Sequence, residues 1–148
     1  MFTLSPSSAS AVGAMLANLM FELPAINIST HVRSGGGLWL AEVIATFGLA
    51  LVVFGVVRSG REAAAPFAVG AYIAGAYFFT SSTSFANPAV TVARTLSDTF
   101  AGIAPESVPG FIVFQVVGAV IAAGVIRVLL SGCERRRRMA LGDARERD

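Results

Sequence analysis

An all-α membrane protein is the fold class this sequence predicts, and three observations predict it. Of the 148 residues, 55% are hydrophobic and 14% charged, against about 25% charged in an ordinary soluble domain. The charges are unevenly placed, since ten of the 20 fall within Cys133 to Asp148 and the first 132 residues share the other ten. The apolar residues gather into runs of span-like length separated by short polar turns. Such a chain divides into a membrane domain, 1–132, and a charged tail, 133–148. The lone Cys133 excludes an internal disulfide and a cysteine-built metal cluster. Neither a nucleophile–base pair, a phosphate loop nor a metal-ligand spacing can be read in the sequence, so neither an enzyme nor a cofactor is expected.

The first apolar run, 10–24, has only 15 residues. A helix needs about 20 to cross a bilayer, so this run reads as part of a span. Leu38 to Val57 is a full span of 20 residues with Glu42 as its one charge and Trp39 placed for the interface belt. A third span, 66–82, opens on Pro66, which suits a first helical turn. The fourth, Val108 to Leu130, carries only Gln115 and Arg127 as strongly polar groups. Ala71 with Gly75, and Gly118 with Ala122, are spaced to let helices approach closely. The N-terminus lacks the basic start and cleavage pattern of a signal peptide.

Between the last two spans, 81–105 (SSTSFANPAVTVARTLSDTFAGIAP) is neither a span nor a plain polar loop. Asn87 is a good N-cap and Pro88 a good first helical residue, so a helix begins there. Gly102 and Pro105 leave it room for about three to four turns, too few to cross. It lies on the surface, or it dips in and turns back where protein or water satisfies its backbone. Counting arginines favours the dip, with the re-entrant loop and half-helix together over 83–100. With two crossings between them, Arg58, Arg61, Arg127, Arg135 to Arg138, Arg145 and Arg147 share the cytoplasmic side, and nine of 11 arginines obey the positive-inside rule. Arg33 and Arg94 then lie outside. The Arg135 to Arg138 run follows an apolar span directly and reads as a topology anchor, so no nucleic-acid partner is expected.

Ala86-Asn87-Pro88-Ala89, flanked by Ser84-Phe85 and by Val90-Thr91-Val92-Ala93-Arg94, resembles the asparagine-proline-alanine loop of the aquaporin (major intrinsic protein) family. The segment order from about Ala11 to Leu130 resembles the second half of such a channel: about three full transmembrane helices, one truncated span and one re-entrant half-helix. The first two spans and the first loop have no counterpart. The resemblance implies passive conduction of small neutral solutes such as water and glycerol in the inner or plasma membrane, with the C-terminus cytoplasmic. It implies as partners the lipid bilayer, these solutes, and either further copies of the chain in a homo-oligomer or the missing N-terminal half. A non-conducting truncated fragment and a pore-free membrane scaffold are the alternatives.

The resemblance also assigns residues. Asn87, Pro88 and Ala89 form the pore motif, and Glu42 supports the loop through its backbone; a glutamate merely favoured near a helix N-terminus is the other reading. Val90 stands where water and glycerol channels usually carry arginine, with Arg94 one turn further on and out of the filter plane. That substitution widens a constriction and resembles the bacterial arsenic-associated aquaglyceroporin-like branch, implying arsenite, As(OH)3, as one solute. Tyr77 and Ser84 are the remaining selectivity-filter candidates, with an aromatic simply packing the bundle the alternative for Tyr77. Phe85 packs the loop. His31 is a solvated loop residue, and Asp98 and Glu106 mark the solvent-side ends of the short helix.

Overall fold

The computed structural model describes the backbone from residue 6 to residue 145 and side chains from residue 7 to residue 131. Five α-helices follow one another: α1 (Pro6–Met20), α2 (Gly36–Arg58), α3 (Ala65–Phe79), α4 (Pro88–Ala93) and α5 (Val108–Arg145). Among the described residues there is no strand, only one isolated parallel bridge between Asn27 and Ser97.

Among the described residues two helical segments are long and apolar enough to cross a membrane: Gly36–Arg58, with 23 residues, and Pro105–Ser131, with 27. At 15 residues each, α1 and α3 rise only about 22 Å, short of a hydrocarbon core of about 30 Å. The third predicted span therefore ends early. The predicted span continues to residue 82 through the Ser/Thr run, but Thr80 is extended (φ −109°, ψ 145°), and its hydroxyl bonds back to the Ala76 carbonyl. Likewise α1 stops at Met20, where the amide of Asn18 turns away to bond the carbonyls of Ala25 and Leu96. In the opposite direction, α5 continues as helix through Arg145 without a break at the expected tail boundary. The side chains of Cys133 and of Arg135 to Arg138, and all of Arg147, lie outside the described residues.

The principal packing is α2 on α5, with α3 against α2 and α4 held between α1 and α5. Gly118 makes the α2–α5 approach possible: a Cβ there would stand 2.5 Å from the Val43 carbonyl oxygen. Ala122 is buried on the same helix. The Ala71 and Gly75 pair behaves otherwise, both residues lying on an exposed face of α3. Trp39, near the start of α2, is half-buried and stacks on Phe114 of α5, centroids 5.2 Å apart. The core cluster is Phe85, Ile103 and Phe111, with Leu38, Trp39, Val90 and Val108 packed around it. Large apolar side chains elsewhere, Leu16, Phe67, Phe78 and Val120 among them, are exposed, an arrangement suited to hydrocarbon rather than water.

Candidate functional site

The site is a loop before it is a helix. Thr83, Ser84 and Ala86 all adopt left-handed backbone (φ 64°, 50° and 48°), a conformation that costs about 1–3 kcal/mol per non-glycine residue and persists only where surroundings enforce it. The enforcing group is Glu42. Its side chain is fully buried and accepts four hydrogen bonds: from Ser82 Oγ at 2.6 Å and Phe85 N at 3.1 Å on Oε1, and from Ala86 N at 3.0 Å and Gln115 Nε2 at 2.7 Å on Oε2. Two strained peptides thus direct their N–H groups at one carboxylate, where a charge-assisted bond is strong and any alternative inside the protein is poor.

The short helix follows from its first two residues. Asn87 is the N-cap, with extended backbone (φ −157°, ψ 122°), and its Oδ1 accepts from Ala89 N at 2.8 Å. Pro88, with no N–H to satisfy, occupies the first turn. With Oδ1 engaged, the Asn87 Nδ2 donors are left unclaimed by the described residues. The helix starts where expected but is shorter than three to four turns: after Ala93 there is one 3-10 turn, Arg94–Leu96, and Ser97 is already extended. There the loop between α1 and α2 competes for the backbone. Asn27 N bonds the Leu96 carbonyl, Ser29 N bonds that of Thr95, and Ser97 Oγ donates to Asn18 Oδ1.

Tyr77, Ser84, Asn87 and Val90 line one cavity of about 210 Å³, together with Arg94. Ser84 is buried with its hydroxyl 2.6 Å from Thr80 Oγ1, whereas Tyr77 is partly exposed and meets Phe100 edge-on, centroids 6.4 Å apart. Phe85 contributes an edge to this lining while packing into the core. Arg94, expected one turn beyond Val90 and out of the filter plane, lines this same cavity. It also reaches a second cavity of about 440 Å³, which it lines with Tyr77, Phe100 and Ala101. One turn beyond Val90, Arg94 faces the same side because residues four apart share a face of an α-helix.

Three residues outside the predicted set take part. Gln115 links Glu42 to the Thr91 hydroxyl at 2.9 Å, and Thr91 bonds the Asn87 carbonyl at 2.9 Å, so α2, α5 and α4 meet in one polar chain. Only its rarity in an apolar span could have singled Gln115 out. Ser82 is read from sequence as part of a Ser/Thr turn cluster, with nothing to mark it from its neighbours. Arg33, in the loop between α1 and α2, is buried, and that burial holds its guanidinium below the ordinary arginine pKa. Asp98 and Glu106 are exposed, as is His31. Asp98 is held below the usual carboxylate range, chiefly by the hydrogen bond from Thr30 N. No group of three or more metal-binding side chains occurs among the described residues.

A family model described as major intrinsic protein matches residues 67–145. Among curated proteins, the aquaglyceroporin AqpS of Rhizobium meliloti (strain 1021) is 45% identical over 129 residues, covering 87% of this chain and 55% of that relative. The chain thus spans about half the length of the curated relative it matches. No solved structure matches it.

Proposed function

The chain belongs to the major intrinsic protein family, and from that premise we propose that it builds one wall of a passive membrane channel for small neutral solutes. The observation that carries this reading is the shared lining of Tyr77, Ser84, Asn87 and Val90 on a loop whose strain is held by Glu42. The mechanism is exchange of a solute's water shell for fixed groups. Asn87 offers N–H donors to a hydroxyl oxygen, Ser84 and backbone carbonyls take the solute's protons, and Val90 and Phe85 keep the remaining wall apolar. A dissolved hydroxyl compound loses little in that exchange, whereas a cation meets an N–H-bearing helix start and the Arg94 guanidinium, both of the wrong sign.

The loop 83–90 is in this reading re-entrant, dipping to mid-membrane beside α2 and α5, with the Arg-rich C-terminal side cytoplasmic in the inner or plasma membrane. Val90, smaller than an arginine and uncharged, suits solutes broader than water: glycerol, and arsenite as neutral As(OH)3. The name of the aquaglyceroporin relative agrees with a polyol.

A second reading concerns what closes the pore. Asn87 and Tyr77 remain exposed, and so does the Ala71–Gly75 face of α3. A facing wall from a complementary half, or from another subunit of a homo-oligomer, would cover them; without it the chain is a non-conducting half.

Osmotic swelling of proteoliposomes tests both. Vesicles with the full chain should swell in glycerol gradients faster than empty vesicles, and Asn87→Asp should abolish most of the difference by placing a carboxylate where donors are needed. Swelling equal in wild type, Asn87→Asp and empty vesicles removes conduction by this chain alone. Recovery of flux on co-reconstitution with a complementary half then selects the second reading, and failure there too removes the channel.

A further inference from the structure

The loop that carries Asn87 is gripped from two sides, and Glu42 accounts for only one. On the other, Arg33 is 5% exposed, with no acidic partner within ion-pair distance among the described residues. Its donors go instead to three backbone carbonyls: Nε to Gly102 at 2.6 Å, Nη1 to Ser82 at 3.2 Å, and Nη2 to Phe100. The guanidinium also lies over the Phe85 ring, 5.5 Å from its centroid, and the Arg33 N–H donates to Ser107 Oγ at 3.0 Å. Burying a charge is tolerated only when its hydrogen bonds are made. A planar fork of five N–H groups can reach three carbonyls at once, which an ammonium cannot do in the same geometry.

The three carbonyls come from both ends of one excursion. Ser82 is where the chain enters the left-handed turns, and Phe100 and Gly102 are where it returns after α4. The return is tightly packed, since a Cβ on Gly102 would collide with the Ser97 carbonyl. Ser82 is bonded to both charges, its hydroxyl to Glu42 and its carbonyl to Arg33. Glu42 therefore gathers the loop's N–H groups from one side while Arg33 ties entry to exit from the other.

We propose that Arg33 is the positioning residue of the solute path, fixing where Phe85, Asn87 and Val90 stand by joining the two ends of the 82–102 excursion. This rests on reading 82–90 as the wall of that path. Arg33 itself does not line the cavity that Asn87 and Val90 share, so it acts on solute only through the loop.

The test uses the full chain in proteoliposomes with Cys133→Ser, reading the rate at which a small membrane-impermeant thiosulfonate modifies the reporter Val90→Cys. A second reporter, Arg61→Cys, sits in the exposed turn between α2 and α3. Arg33→Gln should change the Val90→Cys rate about tenfold or more, because three buried carbonyls lose their donors together. Arg33→Lys, which keeps charge and stem but not the fork, should change it by about threefold. The Arg61→Cys rate should stay within about twofold in both. A Val90→Cys rate unmoved by either variant overturns the proposal. So does an equal change at both reporters, or failure of both variants to insert, since each assigns Arg33 to the fold as a whole. None of these readouts needs solute flux. Vesicles that label as expected but do not swell remove the channel reading and leave the positioning role standing; vesicles that swell with an unmoved reporter do the reverse.

Discussion

The excursion from residue 82 to residue 98 is anchored by a carboxylate at each end, and the two anchors differ in the medium around them. At the inner end Glu42 is fully buried and accepts four bonds, two from strained peptides. At the outer end Asp98 is exposed and accepts from Thr30 N at 2.9 Å, with the hydroxyls of Ser29 and Thr30 at 3.3 to 3.4 Å. Counting bonds makes the two look alike. The dielectric separates them: water can replace Asp98 as an acceptor, but nothing nearby can replace Glu42. The inner anchor should therefore carry stability and the shape of the loop, and the outer one a weaker dependence on conditions.

The largest effect expected is at Glu42. Glu42→Ala leaves the Ser82 hydroxyl, Phe85 N, Ala86 N and one of the two Gln115 Nε2 N–H groups without an acceptor, and at about 1–3 kcal/mol for each buried donor the loss is about 4 kcal/mol or more. Glu42→Gln keeps the shape but turns one acceptor oxygen into a donor, so it should fall between Glu42→Ala and wild type. Denaturant unfolding of the detergent-solubilised chain, followed by circular dichroism, measures both. A loss below about 1 kcal/mol for Glu42→Ala would place water at the inner anchor and erase the contrast.

Gln115 tests whether the inner anchor is a point or a network. Gln115→Leu removes the donor shared by Glu42 and Thr91, but it also removes the Gln115 Oε1 acceptor, which is buried without a partner. The two changes oppose each other, and the net loss should be about 1 kcal/mol, with three donors still on Glu42. The same unfolding measurement checks it. A loss as large as that of Glu42→Ala would make Gln115, not the carboxylate, the hub.

How much of this was legible in the sequence follows the range of each interaction. The start of α4 was legible because capping is local: Asn87 and Pro88 specify it within three residues. That Glu42 needs polar company was also legible, since it is the one charge in an apolar run. Which groups supply the company was not, because Ser82 and Gln115 are 40 and 73 positions away and nothing in their neighbourhoods marks them. The role of Arg33 was not legible for the same reason, its carbonyl partners being chosen by tertiary packing rather than by residue type. The ends of α3 and α4 were overrun because hydropathy reads side chains. Thr80 and Ser97 turn extended, and Asn27 N and Ser29 N take the Leu96 and Thr95 carbonyls, features that hydropathy does not register.

The smallest effect is at the outer anchor, and it is a dependence on pH. Thr30 N–H, donating to Asp98 in the folded chain, lowers the Asp98 pKa below its unfolded value, which lies near 3.9. A depressed carboxylate contributes stability that is present above the unfolded pKa and disappears as pH falls through the folded one. Wild-type unfolding temperature, scanned from pH 6 to pH 2, should accordingly drop below about pH 4 by more than that of Asp98→Asn. The asparagine can still accept from Thr30 N but has no proton to gain, so subtracting the two curves isolates this group from Glu22, Glu62 and Glu106. Because Asp98 is fully exposed, the difference should also shrink with added salt. Superimposable curves would show that water already substitutes for Thr30 at this carboxylate, leaving Glu42 as the one anchor that holds the excursion.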